Sequence, residues 1–224
     1  MGLLRLDADQ VYRAPELEQL SWLRHGFGTR LTTNWPNVDQ LATARQIHSD
    51  RVLVAHQTGV IGEGDALISN QPGIYLAIRT ADCLPVLIAD ARNRAVAAVH
   101  AGWRGTVSGI ISATLESLGN EFGSRPEDLR VAIGPGIGVC CFEVGPEVAI
   151  QFQPFFPERG DFTKRTQIDL AETITRQLRR NGVTESQIAS SRLCTYCDVE
   201  HFESYRRQRE AAGRMVAAIG ISGQ

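Results

Sequence analysis

The sequence predicts an α+β protein, a single domain over residues 1–224 with mixed β-sheets in a layered, sandwich-like core and helices on its flanks. Three observations carry this reading. Short apolar runs rich in β-branched residues recur through the first half, and segments of helical periodicity follow them. No repeat, low-complexity tract or composition break marks a linker. With 224 residues and 43% hydrophobic side chains, the chain can bury one sizeable core.

Taken in order, the runs at 51–55, 66–69, 74–79, 86–89 and 95–100 read as strands. They are nearly continuous rather than alternating, and Gly, Asp, Asn or Pro stands at their ends. That pattern predicts strands covered on both faces, with helices doing the covering. A helix is expected over 107–120, where Ile110, Ile111, Thr114, Leu115 and Leu118 recur with helical spacing and Thr106 offers a cap. A strand over 129–133 runs into Gly134-Pro135-Gly136-Ile137-Gly138. Residues 147–152 start a helix that Pro154 and Pro157 interrupt. A further helix spans 170–180 and closes at Asn181-Gly182, and 214–221 returns as a strand.

A formal charge of -2 gives no broad positive field, which argues against nucleic acid or an anionic membrane as partner and for a small ligand. No apolar run approaches the roughly 20 residues of a membrane span. The opening Met1-Gly2-Leu3-Leu4-Arg5-Leu6-Asp7 meets charge too early for a signal peptide, so a cytoplasmic protein is expected. A monomer is the simpler expectation. Five cysteines without an export signal fit free thiols and metal ligation better than a disulfide framework.

His48, Cys83 and His100 each stand at the edge of an apolar strand. Two imidazoles and a thiolate suit zinc and leave a fourth tetrahedral position open. None of the three lies in a compact ligand motif, so a buried structural cysteine and hydrogen-bonding histidines stay open as the alternative. The turn Gly102-Trp103-Arg104-Gly105-Thr106 offers amides, a helix start and a guanidinium to a phosphate, the alternative being a solvated Arg104. Asp82 and Glu143 are candidate general acids or bases, or else structural hydrogen-bonding groups. Trp103 is a base-stacking candidate or a packing plug, and Arg206, Arg207 and Arg209 form a small basic cluster. Cys194-Thr195-Tyr196-Cys197 has C-x-x-C spacing. A structural zinc there needs a second pair, which only Cys140 and Cys141 supply; packed thiols are the competing reading.

The chain also carries His25-Gly26-Phe27-Gly28-Thr29-Arg30, Gln46-Ile47-His48, Gly64-Asp65-Ala66, Ala81-Asp82-Cys83-Leu84-Pro85 and His100-Ala101-Gly102-Trp103-Arg104-Gly105. Further on come Ile133-Gly134-Pro135-Gly136-Ile137-Gly138, Cys141-Phe142-Glu143-Val144, Cys194-Thr195, Ser204-Tyr205-Arg206-Arg207 and Gly213-Arg214. In this it resembles the YfiH-like family, also called the laccase-domain or polyphenol-oxidase family and more recently purine nucleoside phosphorylases. The resemblance implies that His48, Cys83 and His100 bind a catalytic metal, zinc or alternatively copper, and that Arg206 faces substrate. It further implies phosphorolysis of adenosine, inosine, guanosine and methylthioadenosine to base and ribose 1-phosphate, accompanied by adenosine deamination. The ligand chemistry is compatible, since a metal with an open position can activate water for attack at C6 of adenine.

Two departures from the family pattern bear on the pocket. The stretch 31–45 is shorter than usual, and Phe202-Glu203-Ser204-Tyr205 puts a carboxylate where a second aromatic residue is usual. Other classes compete with the phosphorylase. One is a hydrolase or amidase with Cys83 as nucleophile and His100 as base, a pair also used by a bacterial toxin deamidase that shares the family's fold. Another is a copper-dependent phenol oxidase, against which the sequence offers only His25, His48, His56, His100 and His201. A non-enzymatic metal-binding protein is the fallback.

Overall fold

Strands with no polar side must be covered twice, and two face-to-face sheets with helices outside one of them achieve this. The computed structural model describes residues 3–36 and 41–223. Its strands are β1 (Arg5–Leu6), β2 (Val11–Arg13), β3 (Leu23–Gly28), β4 (Leu41–Arg45), β5 (Val52–Val54), β6 (Gly59–Glu63), β7 (Ala66–Ser69) and β8 (Tyr75–Thr80). They continue with β9 (Leu84–Asp90), β10 (Ala95–Ala101), β11 (Leu129–Ile133), β12 (Glu143–Val144), β13 (Thr166–Gln167), β14 (Ile188–Ser190) and β15 (Met215–Ile221). The α-helices are α1 (Pro15–Glu18), α2 (Trp103–Ser108), α3 (Ile110–Phe122), α4 (Pro146–Ala149), α5 (Leu170–Arg180) and α6 (Tyr205–Gln208).

One sheet has the order β1-β2-β3-β15-β8-β4-β6 and the other β14-β11-β9-β10-β7-β5, with β12 and β13 as a separate pair. Both contain parallel and antiparallel pairs, as in β4 beside β8 and β9 beside β10. Every residue of β9 and β10 is buried. Side-chain parity explains how. Leu67, Leu87, Ala89, Val96 and Ala98 face the core shared with the other sheet. Ile68, Val86, Ile88, Ala97 and Val99 join Ile110, Ile111, Leu118, Ile174 and Leu178 in a second core under α3 and α5. Helices therefore cover only one face, which corrects the expectation that helices do all the covering; the other face packs on the second sheet, as the expected sandwich-like layering requires.

The helix expected over 107–120 is two helices. It starts at Trp103, so Gly102 is its cap position and Thr106 lies inside α2. Gly109, at φ 92°, then breaks the axis before α3. Within 147–152 only a short α4 forms, passing into a tighter 3₁₀ segment Ile150–Phe155 that holds Pro154. The helix over 170–180 forms as α5, capped by the Asp169 carboxylate, which accepts from the Glu172 amide at 2.9 Å. The Thr106 carbonyl accepts from Gln177 Nε2 at 2.7 Å, which ties α2 to α5.

Candidate metal centre

The antiparallel register of β9 and β10 pairs Leu84 with Ala101 and Pro85 with His100, so Cys83, just before β9, lies beside the end of β10. His48 comes from the loop after β4. Its backbone is left-handed, at φ 60°, as is that of Asp82 at φ 85°. The ligand atoms of His48, Cys83 and His100 lie within 4.8 Å of one another, and the two imidazole rings are 4.9 Å apart at 79°. Gly102 makes room for this closure. A Cβ there would stand 3.0 Å from Cys83 Sγ and 3.1 Å from His48 Cδ2.

Asp65 holds the arrangement from behind. Its carboxylate accepts the amides of Ile47, His48 and Ser49 at 3.2, 3.0 and 2.6 Å, and the Ser49 hydroxyl at 2.7 Å. Its Oδ1 also meets His100 Nδ1 at 2.8 Å. One buried carboxylate thus fixes the strained His48 loop and turns Nε2 of His100 toward the other ligands. Sequence reasoning passed over Asp65 as one letter of Gly64-Asp65-Ala66. The signal was a carboxylate at the entrance of the apolar run Ala66-Leu67-Ile68, where burial is costly without partners.

Burial opposes charge on all three central groups, and the hydrogen bonds outweigh it. Those from His100, Ser49 and His48 hold Asp65 well below the usual carboxylate range. Burial would depress His100, yet Asp65 and the Cys83 sulfur raise it to about 9. Burial would raise Cys83, yet hydrogen bonds and charge from His100 and His48 bring it down to about 7. The protein therefore favours a thiolate at this point, the form a metal needs. Two imidazoles and a thiolate, with one imidazole backed by a carboxylate, fit zinc with an open fourth position.

The trio opens into a cleft of about 1200 Å³. Arg79, Arg104, Arg165, Arg206, Arg209 and Arg214 line it, against two carboxylate residues, Asp82 and Glu143. A chain of net charge -2 thus concentrates positive charge where a small anion would enter.

Each other candidate has a definite place. Arg104 is exposed in the first turn of α2, its guanidinium 4.5 Å from the Trp103 ring, inside the helix rather than ahead of a cap. Trp103 both packs against the core and lines the cleft. Asp82 is turned from the ligands: its oxygens accept from the Thr195 hydroxyl at 2.7 Å and the Arg206 amide at 2.6 Å. Glu143 is exposed and pairs with Arg165 at 3.2 Å. The Arg206 side chain donates to the Glu143 carbonyl at 3.2 Å and covers the Phe142 ring. Arg207 is directed elsewhere, to the carbonyls of Thr195, Tyr196 and Phe202.

Glu203 meets Arg30 at 3.4 Å and the Gly213 amide at 3.2 Å, and is not among the residues lining the cleft. Of the short stretch 31–45, residues 37–40 lie outside the described residues and Ala44 lines the cleft. His25 accepts from the Ala14 amide and His201 meets Asp198, so neither joins the trio.

A family model described as multi-copper polyphenol oxidoreductase laccase matches residues 29–222. The chain is 43% identical over 163 residues to a purine nucleoside phosphorylase of Bacteroides thetaiotaomicron, covering 70% of this chain and 60% of that protein. It thus spans about three-fifths of that relative's length. It is 33% identical over 199 residues to an adenosine deaminase from an unknown prokaryotic organism, covering 82% of this chain and 76% of that one. Among solved structures, the protein YfiH of Bacillus licheniformis superimposes with a TM-score of 0.89 at 26% identity, covering 98% and 99% of the two chains.

Proposed function

The chain belongs to the multi-copper polyphenol oxidoreductase laccase family, and on that footing we propose that it is a metal-dependent purine nucleoside phosphorylase with accompanying adenosine deaminase activity. Adenosine, inosine, guanosine and methylthioadenosine are the substrates proposed. The observation that carries the reading is a Cys1His2 ligand set at the base of an arginine-lined cleft. The first binds a Lewis acid and the second binds phosphate, and phosphorolysis needs an anion beside a nucleoside. Relatives named for phosphorolysis and for deamination support the same pair of reactions.

In this reading His48, Cys83 and His100 hold zinc, with copper the alternative, and the ion supplies Lewis acidity next to the bound nucleoside. Arg104 and Arg206 orient phosphate, so that a phosphate oxygen attacks C1′ of the ribose while the bond from C1′ to the purine nitrogen breaks. The purine leaves with that electron pair and needs a proton. Glu143, exposed at the cleft and paired with Arg165, is the proposed relay, taking a proton from the attacking phosphate or from water and passing it to the purine nitrogen. Asp82 acts as a positioning residue, because it stands next to Cys83 and ties that turn to the Arg206 amide and the Thr195 hydroxyl. The arginines, rather than the dipole of the six-residue α2, carry the anion.

One observation favours a second reading. The line Asp65–His100–Cys83 has the order of an orienter, a base and a nucleophile, which suits a Cys-His hydrolase or amidase. The phenol oxidase draws less support from the ligand set, which has two imidazoles where a multicopper cluster needs many. Chromatography after incubating metal-loaded protein with adenosine, with and without phosphate, separates the readings. Ribose 1-phosphate plus adenine only with phosphate, and inosine in either case, is expected. No turnover, together with Cys83 alkylated equally fast before and after chelation, would sink the proposal.

A further inference from the structure

The fold gathers a second set of sulfur atoms that the reaction does not use. Cys140 and Cys141 follow the 134–138 turn after β11, and Cys194 and Cys197 lie in the loop after β14. The parallel pairing of β11 with β14 brings these loops side by side, and Gly136 bridges to Cys194 beyond the strand ends. All four sulfurs lie within 4.8 Å of one another, Cys197 being 3.7 Å from Cys140 and 3.3 Å from Cys141. A tetrahedral zinc with bonds of about 2.3 Å sets sulfurs about 3.8 Å apart. Disulfide sulfurs sit at about 2.05 Å, and all five cysteines here are free.

The backbone around the cluster is shaped for thiolates. The Gly138 amide donates to Cys194 Sγ at 3.2 Å. An amide donating to the first sulfur of a C-x-x-C turn stabilises its negative charge and orients it. Gly138 is needed for the approach: a Cβ there would stand 3.1 Å from Cys194 Cβ and 3.2 Å from Cys140 Sγ. Cys140 and Cys197 are exposed, where packing does not account for a thiol.

We propose that Cys140, Cys141, Cys194 and Cys197 form a second, closed zinc site that staples the 134–142 and 193–197 loops together. Four protein ligands leave no open position, so the site is structural. It braces one wall of the cleft, since Thr195 holds Asp82 and the Cys141 carbonyl accepts from Arg206. Its thiolate set selects zinc over harder cations.

Metal analysis of the whole chain purified under reducing conditions with zinc is expected to return two zinc per chain. The double variant Cys194→Ser/Cys197→Ser should retain one, held by the other trio, and His48→Ala/His100→Ala should also retain one, held by the cysteines. A folding-independent measurement uses wild-type protein and a thiol-reactive probe. The exposed Cys140 and Cys197 should be protected until a strong chelator is added. One zinc per chain that is lost entirely in the histidine variant, immediate labelling of both exposed thiols in metal-loaded protein, or iron in place of zinc would each overturn the site. None of these readouts depends on nucleoside turnover, so failure of the proposed reaction and failure of this site are separable.

Discussion

Asp65 is the residue on which the centre turns, because one carboxylate serves the backbone of one ligand and the ring of another. Asp65→Asn keeps the volume but replaces an acceptor oxygen with a donor facing amides. Metal affinity should fall about 10- to 100-fold, measured by competition with a chelator. Unchanged affinity in a folded variant would show that His48 and His100 orient themselves. Arg104 is tested differently. Its loss removes a charge-assisted contact worth about 1.5–3 kcal/mol, so Arg104→Ala should weaken apparent phosphate affinity by roughly ten- to a hundredfold. Inosine release should suffer less than adenine release in the same phosphate titration. An equal fall in both would make Arg104 a support for substrate or metal instead.

At the scale of elements, α2 is pressed against the ligand loop. A Cβ on Gly105 would stand 2.7 Å from the Ser49 carbonyl oxygen, next to His48. Glycine to alanine within a helix ordinarily gains up to about 1 kcal/mol. Overpacking against backbone costs about 1–3 kcal/mol, and the clash should win. Gly105→Ala is expected to lower the denaturation midpoint and to weaken metal binding, as α2 pushes the 46–50 loop away. A higher midpoint with intact metal affinity would show that helix and loop part without cost. The helix also starts one turn earlier than its residue types suggest, with Gly102 at the cap position. Thr106 has a cap's residue type but is buried inside α2, where its carbonyl accepts from Gln177 of α5.

At the scale of the molecule, His25 links pH to global stability. Its ring is buried in β3 and accepts the Ala14 amide at 2.9 Å. Burial first, and the nearby Arg13 charge second, depress its pKa to about 4. The ordinary value is about 6.5, so the unfolded chain binds this proton more readily than the folded one. Stability from the neutral ring is therefore full above about pH 6.5 and is lost as pH falls toward about 4, amounting to roughly 2 kcal/mol by pH 5. Urea midpoints between pH 7 and pH 5 should decline more steeply for wild type than for His25→Gln, whose amide can accept the same bond without titrating. Parallel declines would remove His25 as the cause.

The α+β class, the strands of the central sheet, α5 and the three ligand types are properties of local sequence. Apolar runs such as 86–89 and helical spacing such as Leu170, Ile174 and Leu178 act over a few residues, and a chain carries them before it folds. The two- and three-residue strands β1, β2 and β12, and the Gly-containing β3, were not legible because they are too short or too broken for a pattern of their own and their pairing partners make them strands. Tertiary structure alone decided that Asp65 stands behind His48 and His100, and that six arginines converge on one cleft in a chain of net charge -2. It also decided that four cysteines from two loops meet. Each of these depends on which strand ends and loops the sheet orders bring together, a matter of contacts between residues far apart in sequence that composition and local spacing do not carry.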